Sequence, residues 1–219
     1  MDAGIYDTIK ILGCLVILSA IAAIWFKQHQ GTAIYAKFKA FTTILILLAG
    51  IIIYIGVQSN YSAIMIAALT FCLAGDILLT RKKLFIYGLL SFMAANIWFT
   101  IAFVSIHGFS FKIFPLSVLA IIYFLLFIYL RRSLNRYLIP IIIYSCIIII
   151  MTWQASALLY NERSIPAFSI AAGSFLFLFS DLILALNKFK KTFKVAEILI
   201  LSFYWIAIFA FTLAGIYLS

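Results

Sequence analysis

Apolar runs of bilayer-crossing length recur along this chain, and only a few residues separate each from the next. Two thirds of its 219 residues are hydrophobic and one tenth are charged. A soluble domain of that composition would have to be as apolar outside as inside, so lipid is the solvent. A helix needs ~20 apolar residues to cross the hydrocarbon layer. Eight spans are predicted, at 5–26, 40–57, 61–80, 84–105, 112–130, 138–160, 165–186 and 195–217. The expected fold is all-α, a polytopic transmembrane bundle forming a single domain over residues 1–219. Little chain remains between the spans, so the function is sought inside the bundle.

The net charge of +10 does not point to nucleic acid, because the basic residues sit in short loops between spans. Lys27, Lys37 and Lys39 follow span one; Arg81, Lys82 and Lys83 follow span three. Arg131, Arg132 and Arg136 follow span five; Lys188, Lys190, Lys191 and Lys194 follow span seven. Lys10, Lys112 and Arg163 fall on the opposite side. The positive-inside rule then places the four basic loops in the cytoplasm and both termini on the other side. The N-terminal MDAGIYDTIK is acidic where a signal peptide would be basic, so the first run is read as a span. Cys14, Cys72 and Cys146 lie within apolar runs without CxxC spacing and read as small buried hydrophobes. Pro115, Pro140 and Pro166 open helices, where a missing backbone donor costs nothing.

Only six residues are acidic, and two of them stand inside apolar runs: Asp76 in FCLAGDILLT and Asp181 in AAGSFLFLFSDLILALNK. Each follows a small residue (Gly75, Ser180), precedes three aliphatic ones and ends in a basic cluster. The likeness hints at a duplication of spans one to four onto five to eight. Both carboxylates fall four or five residues from a span end, ~6 Å of helix rise, and so share one depth. An ionisable group there is costly and faces the bundle interior or a wet cavity. It is either a structural carboxylate paired with a lysine or hydroxyl, or one of two carboxyls in a shared cavity. In the second case low polarity and mutual repulsion leave one of them a proton to donate.

Other polar side chains converge on that depth. Lys39, at the start of span two, is a snorkelling anchor or a partner for a phosphate or carboxylate. Tyr144 and Tyr204 lie a few turns into spans six and eight, where tyrosine is more often packing than chemistry. Asn96 is nearer mid-membrane, and its amide needs partners that lipid cannot supply. Asn187, ending span seven, is a helix C-cap or a supporting polar group. His29 and His107 lie in loops on opposite sides, so no histidine zinc site or Ser-His pair forms within the chain, and no Gly-rich phosphate loop is present. No metal or cofactor is implied. If the chain is an enzyme, its acid and base are aspartates.

From Lys39 onward the sequence resembles the YhhN-like lysoplasmalogenases, a family of eight-helix membrane proteins. The likeness is carried by Lys39-x-x-Thr42, Gly75-Asp76, Gly88-x3-Phe92-x2-Ala95 with Phe103, and Tyr144, Met151, Trp153 and Ala155. It is closest in AAGS and SDLILALNKF of span seven, with Ser202-x-Tyr204-x-x-Ala207 in span eight. The chain departs from the family at Asn96, Phe99 and Ile208, where a His, a Tyr and a Gln are usual.

The resemblance implies hydrolysis of the vinyl ether bond of choline or ethanolamine lysoplasmalogens to a fatty aldehyde and a glycerophospho-alcohol. One of Asp76 and Asp181 would be the acid, and the other the stabiliser and base. Lys39 would hold the phosphate, and Tyr144, Tyr204 and Asn96 would orient water and the ether oxygen. The partners implied are a lysophospholipid substrate and bilayer lipids, and the minimal loops point to a bacterial inner membrane. Two other readings stay open: a proton-coupled transporter of a small or lipid-like solute, and a catalytically inactive lipid-binding protein.

Overall fold

The computed structural model describes residues 3–29 and 32–218. Among them are eight α-helices and no strand: α1 (Ala3–His29), α2 (Thr32–Val57), α3 (Asn60–Leu79), α4 (Phe85–His107), α5 (Ile113–Leu134), α6 (Leu138–Glu162), α7 (Ile165–Phe189) and α8 (Ala196–Ala214). Each is long and apolar enough to cross a membrane. Their faces explain the packing. On α2 the buried residues recur as Tyr35, Lys39, Thr42, Thr43, Ile46, Ala49 and Ile53, one stripe of a 3.6-residue period. On α3 the stripe runs Tyr61, Met65, Ala68, Leu69, Cys72 and ends in Asp76. The opposite faces stay apolar and outward, as lipid allows.

The helices close into a ring, α2–α3–α4–α6–α7–α8 and back to α2, with α1 laid on α2 and α8. α5 leans mainly on α6 and buries little besides Leu119, Leu130 and Leu134. Its N-terminal loop is fixed from α6, where Gln154 exchanges two hydrogen bonds with the Ser110 backbone and Trp153 donates to the Lys112 carbonyl. Fully buried Phe99, Phe103, Phe177 and Phe211 fill the middle of the ring.

The two halves repeat one device. The α2–α3 turn puts Gln58 in the left-handed region and then Ser59, whose side chain caps α3. The α6–α7 turn does the same with Arg163 and Ser164, which caps α7. Asp76 and Asp181 stand at the same offset from these caps. The neighbour relations repeat too: α2 with α3 as α6 with α7, α3 with α4 as α7 with α8, α2 with α8 as α6 with α4. The hint of duplication in the two aspartate runs therefore has a counterpart in the backbone.

Three expectations are corrected. α2 begins at Thr32 and not near 40, so Lys37 and Lys39 belong to a helix and not to a loop. The helix continues because Tyr35 and Lys39, one turn apart, both face inward, where Asp76 matches the lysine charge. α1 likewise runs through Lys27 to His29, and the last turns of α5 and α7 take up Arg131, Arg132 and Lys188. Cys72 is buried, but Cys14 and Cys146 face outward; an apolar thiol is as acceptable to lipid as to a core. The loop residues 30 and 31, and the side chains of Lys82 and Arg136, lie outside what is described.

α7 and α8 approach closely at Gly173. A Cβ there would lie 2.7 Å from the buried Phe211 ring and 3.1 Å from the Ala207 carbonyl oxygen. Gly173→Val is expected to cost about 1–3 kcal/mol by overpacking. Reversible unfolding in micelles measures this, and Gly4→Ala, where a Cβ meets nothing within 4 Å, serves as the neutral control.

Candidate active site

The basic loops and helix ends gather at one end of the bundle, and below that end Asp76 is held by three side chains from two other helices. Its Oδ1 faces the Lys39 ammonium of α2 at 3.1 Å and has no other partner among the described residues. Its Oδ2 accepts from Thr43 at 2.6 Å and from Tyr204 of α8 at 2.9 Å. Trp205 donates to the Thr43 hydroxyl at 3.3 Å, so the threonine proton is directed to the carboxylate. Asp76 is 1% exposed. A carboxylate this deep stays charged only with a cation and hydrogen bonds around it, and here it has both. Thr43 was not apparent among the sequence candidates. Its signal is its position one turn beyond Lys39, on the same helix face.

Asp181 is set differently. It is part-buried, its Oδ2 accepts a hydrogen bond from Tyr144 of α6, and no cation lies within ion-pair distance among the described residues. The small residues before each aspartate also have distinct uses. Gly75 lets the Phe92 ring lie on α3, since a Cβ there would meet it at 2.6 Å. Ser180 donates to the Ile200 carbonyl at 2.9 Å and ties α7 to α8.

Two cavities meet at this point. The first, about 130 Å³, is polar and reaches inward from the basic end between α2, α3, α7 and α8; Lys39, Asp76, Asp181 and Tyr204 all line it. The second, about 170 Å³, is an almost wholly apolar groove between α4, α5, α6 and α7, bordered by residues such as Leu119, Phe127, Ile148 and Phe179. They share Leu79, Phe92, Asp181 and Leu184. Among the described residues Asp181 is thus the one ionisable group that lines both the polar chamber and the apolar groove. Tyr144 borders the groove and Tyr204 the chamber. Phe92 and Phe177 pack edge-on against the Tyr204 ring and close the chamber from below.

The remaining candidates lie apart from the cavities. Asn96 is fully buried beside the Tyr144 hydroxyl, and its amide atoms make no hydrogen bond of normal geometry among the described residues. Phe99 and Ile208 are also fully buried. Asn187 borders neither cavity; its Oδ1 accepts from the Phe193 backbone and shapes the α7–α8 turn. His29 and His107 stand at opposite ends of the bundle, His29 on the Trp25 carbonyl and His107 beside Glu162. At the chamber's mouth the structure adds a group that sequence reasoning missed: Lys27, Tyr35 and Glu197. Glu197 is one of only six acids and lies beside the basic residues that close the α7–α8 connection, which was its visible signal.

The model of the YhhN family matches residues 34–215. No curated protein and no solved structure matches the chain.

Removing one half of the buried pair should be costlier than removing both. Lys39→Met leaves the buried Asp76 without its cation and is expected to cost about 3–5 kcal/mol. Lys39→Met with Asp76→Asn should recover most of that loss, and a double-mutant unfolding cycle measures the difference.

Proposed function

The chain belongs to the YhhN family, and from that premise we propose that it is a membrane-embedded hydrolase cleaving the vinyl ether bond of lysoplasmalogens. The observation that carries the proposal is the position of Asp181 where a polar chamber and an apolar groove meet. A lysoplasmalogen has one polar head, one chain and its labile bond between them. With the head in the chamber and the chain in the groove, that bond comes to Asp181.

The reaction needs a proton on the alkene carbon, stabilisation of the resulting oxocarbenium ion, and a water to capture it. We assign the acid to Asp181. Among the described residues no cation pairs with it, and the Tyr144 hydrogen bond occupies Oδ2, leaving Oδ1 to carry the proton. Asp76, neutralised by Lys39 and holding two hydroxyl donors, remains the carboxylate that stabilises the cation. After protonation the ether oxygen shares the positive charge. Water adds to the adjacent carbon, and its proton returns to the Asp181 carboxylate. The hemiacetal then collapses to the aldehyde and the glycerol hydroxyl. Glycosidases handle a related cation with two carboxyl groups. Below the chamber Phe92, Phe99, Phe177 and Phe211 pack ring against ring, and that aromatic filling favours a hydrolase over a carrier.

The basic end is read as the cytoplasmic one, with both termini opposite, so substrate is drawn from the cytoplasmic leaflet of what we take to be a bacterial inner membrane. α5, loosely packed along the groove, is the side on which a lipid chain enters.

Purified protein should release aldehyde from choline or ethanolamine lysoplasmalogens. Asp181→Asn is expected to lower kcat by roughly 10³-fold or more, Asp76→Asn by a similar factor, and Tyr144→Phe by about 10–100-fold. Folding is followed in parallel by thermal unfolding in the same micelles. A folded parent that releases no aldehyde overturns the proposal.

A further inference from the structure

The mouth of the polar chamber carries charged side chains that neither the ion pair below nor the acid uses. Lys27, in the last turn of α1, meets Glu197, in the first turn of α8, at 3.5 Å. Tyr35, in the first turns of α2, reaches the same carboxylate with its hydroxyl at 3.4 Å. The Lys27 ammonium lies 4.4 Å from the centre of the Tyr35 ring. All three line the chamber, one helical turn and more above Lys39 and Tyr204. Both the carboxylate and the ring face are therefore already in contact with an ammonium.

We propose that Lys27, Tyr35 and Glu197 form a headgroup site for a zwitterionic phospho-amine. The lipid phosphate takes Lys27, and its ammonium takes Lys27's place on Glu197 and the Tyr35 ring. This deepens the lysolipid reading above and rests on it. The argument is one of charge exchange. The resident ion pair is part-exposed, so it is weak and readily opened by a ligand of matching charges. A phospho-amine supplies one anion and one cation and leaves both side chains paired. Tyr35 adds a cation–π contact that a quaternary or primary ammonium can use.

Charge balance also sets what is refused. The chamber holds two cations, Lys27 and Lys39, against the carboxyl groups of Asp76, Asp181 and Glu197. A head that is anionic overall, such as phosphoglycerol, would open the pair to reach Lys27 and leave Glu197 without a cation, next to added negative charge. Repulsion of that kind discriminates as effectively as attraction.

The test uses full-length protein and saturated alkyl-ether lysolipids, which cannot be hydrolysed, so binding is read without turnover. The parent is expected to bind a phosphoethanolamine head about tenfold more tightly than a phosphoglycerol head with the same chain. Glu197→Gln should remove that preference, weakening the amine lipid and relieving the repulsion that holds off the phosphoglycerol one. Lys27→Met should weaken both, because the phosphate is common to them. On vinyl ether substrates Glu197→Gln should raise KM for the amine lipid and leave kcat unchanged. Equal binding of the two heads by the parent, which needs no variant, overturns the proposal. So does a Glu197→Gln protein that keeps the preference or loses both lipids alike, the behaviour of a mere tether between α1 and α8. Aldehyde release separates this from the reading beneath it. Release without head discrimination sinks the headgroup site alone. Discrimination without release keeps the site as a lipid-binding one and sinks the hydrolase.

Discussion

A charge placed within a membrane span must find its opposite inside the protein, and the Lys39–Asp76 pair is where this chain meets that demand. The pair fixes how α2 and α3 face one another. It also draws α8 into place, because the remaining oxygen of Asp76 needs Tyr204 as well as Thr43. Neither side chain is tolerable alone at that depth. The inward turn of the first part of α2, the stripe that ends at Asp76 and the closure of the ring all follow from satisfying one carboxylate.

The duplicated backbone makes the difference between the two aspartates informative. Both helices begin at a serine after a left-handed residue, and both acids stand at the same offset. Each also takes a hydroxyl from the helix before it, Thr43 for Asp76 and Tyr144 for Asp181. What distinguishes them is what else is nearby. Asp76 has the ammonium of Lys39, and Asp181 has a cavity on either side. A repeated frame thus carries two carboxyl groups in different surroundings, and neighbouring residues rather than the backbone set the difference.

Much of the bundle was legible in the sequence because lipid enforces a simple rule: spans must be apolar and connections must be short. Helix number, the opening prolines and the shared depth of Asp76 and Asp181 follow from that rule. The rule fails at α2, where TAIYAKFKA reads as a basic loop until Asp76 is seen to offset Lys39. Equal depth left two readings open, a carboxylate paired with a lysine or hydroxyl and a repelling pair in one cavity, and Asp76 has the lysine and hydroxyl partners of the first. The tyrosines of the site were legible as polar groups near the depth of the aspartates, but nothing local distinguishes Tyr144 from a packing tyrosine. Tyr35, Lys27 and Glu197 come together from α1, α2 and α8; no local pattern reports a contact that long in sequence.

The two-residue connection between α2 and α3 has a bearing on how the chain enters the membrane. Inserted singly, α2 would carry a lysine and α3 an aspartate, each adding up to ~2.5–3.5 kcal/mol to transfer of its helix. Joined as a hairpin, the two reach the bilayer with the opposite charges already facing, and the pair crosses more readily than either member. The Tyr204 hydroxyl arrives only with the final helix. A ribosome releasing this chain therefore hands the translocation machinery an early, self-neutralising hairpin, whereas the polar chamber has no complete wall until the last span has been delivered.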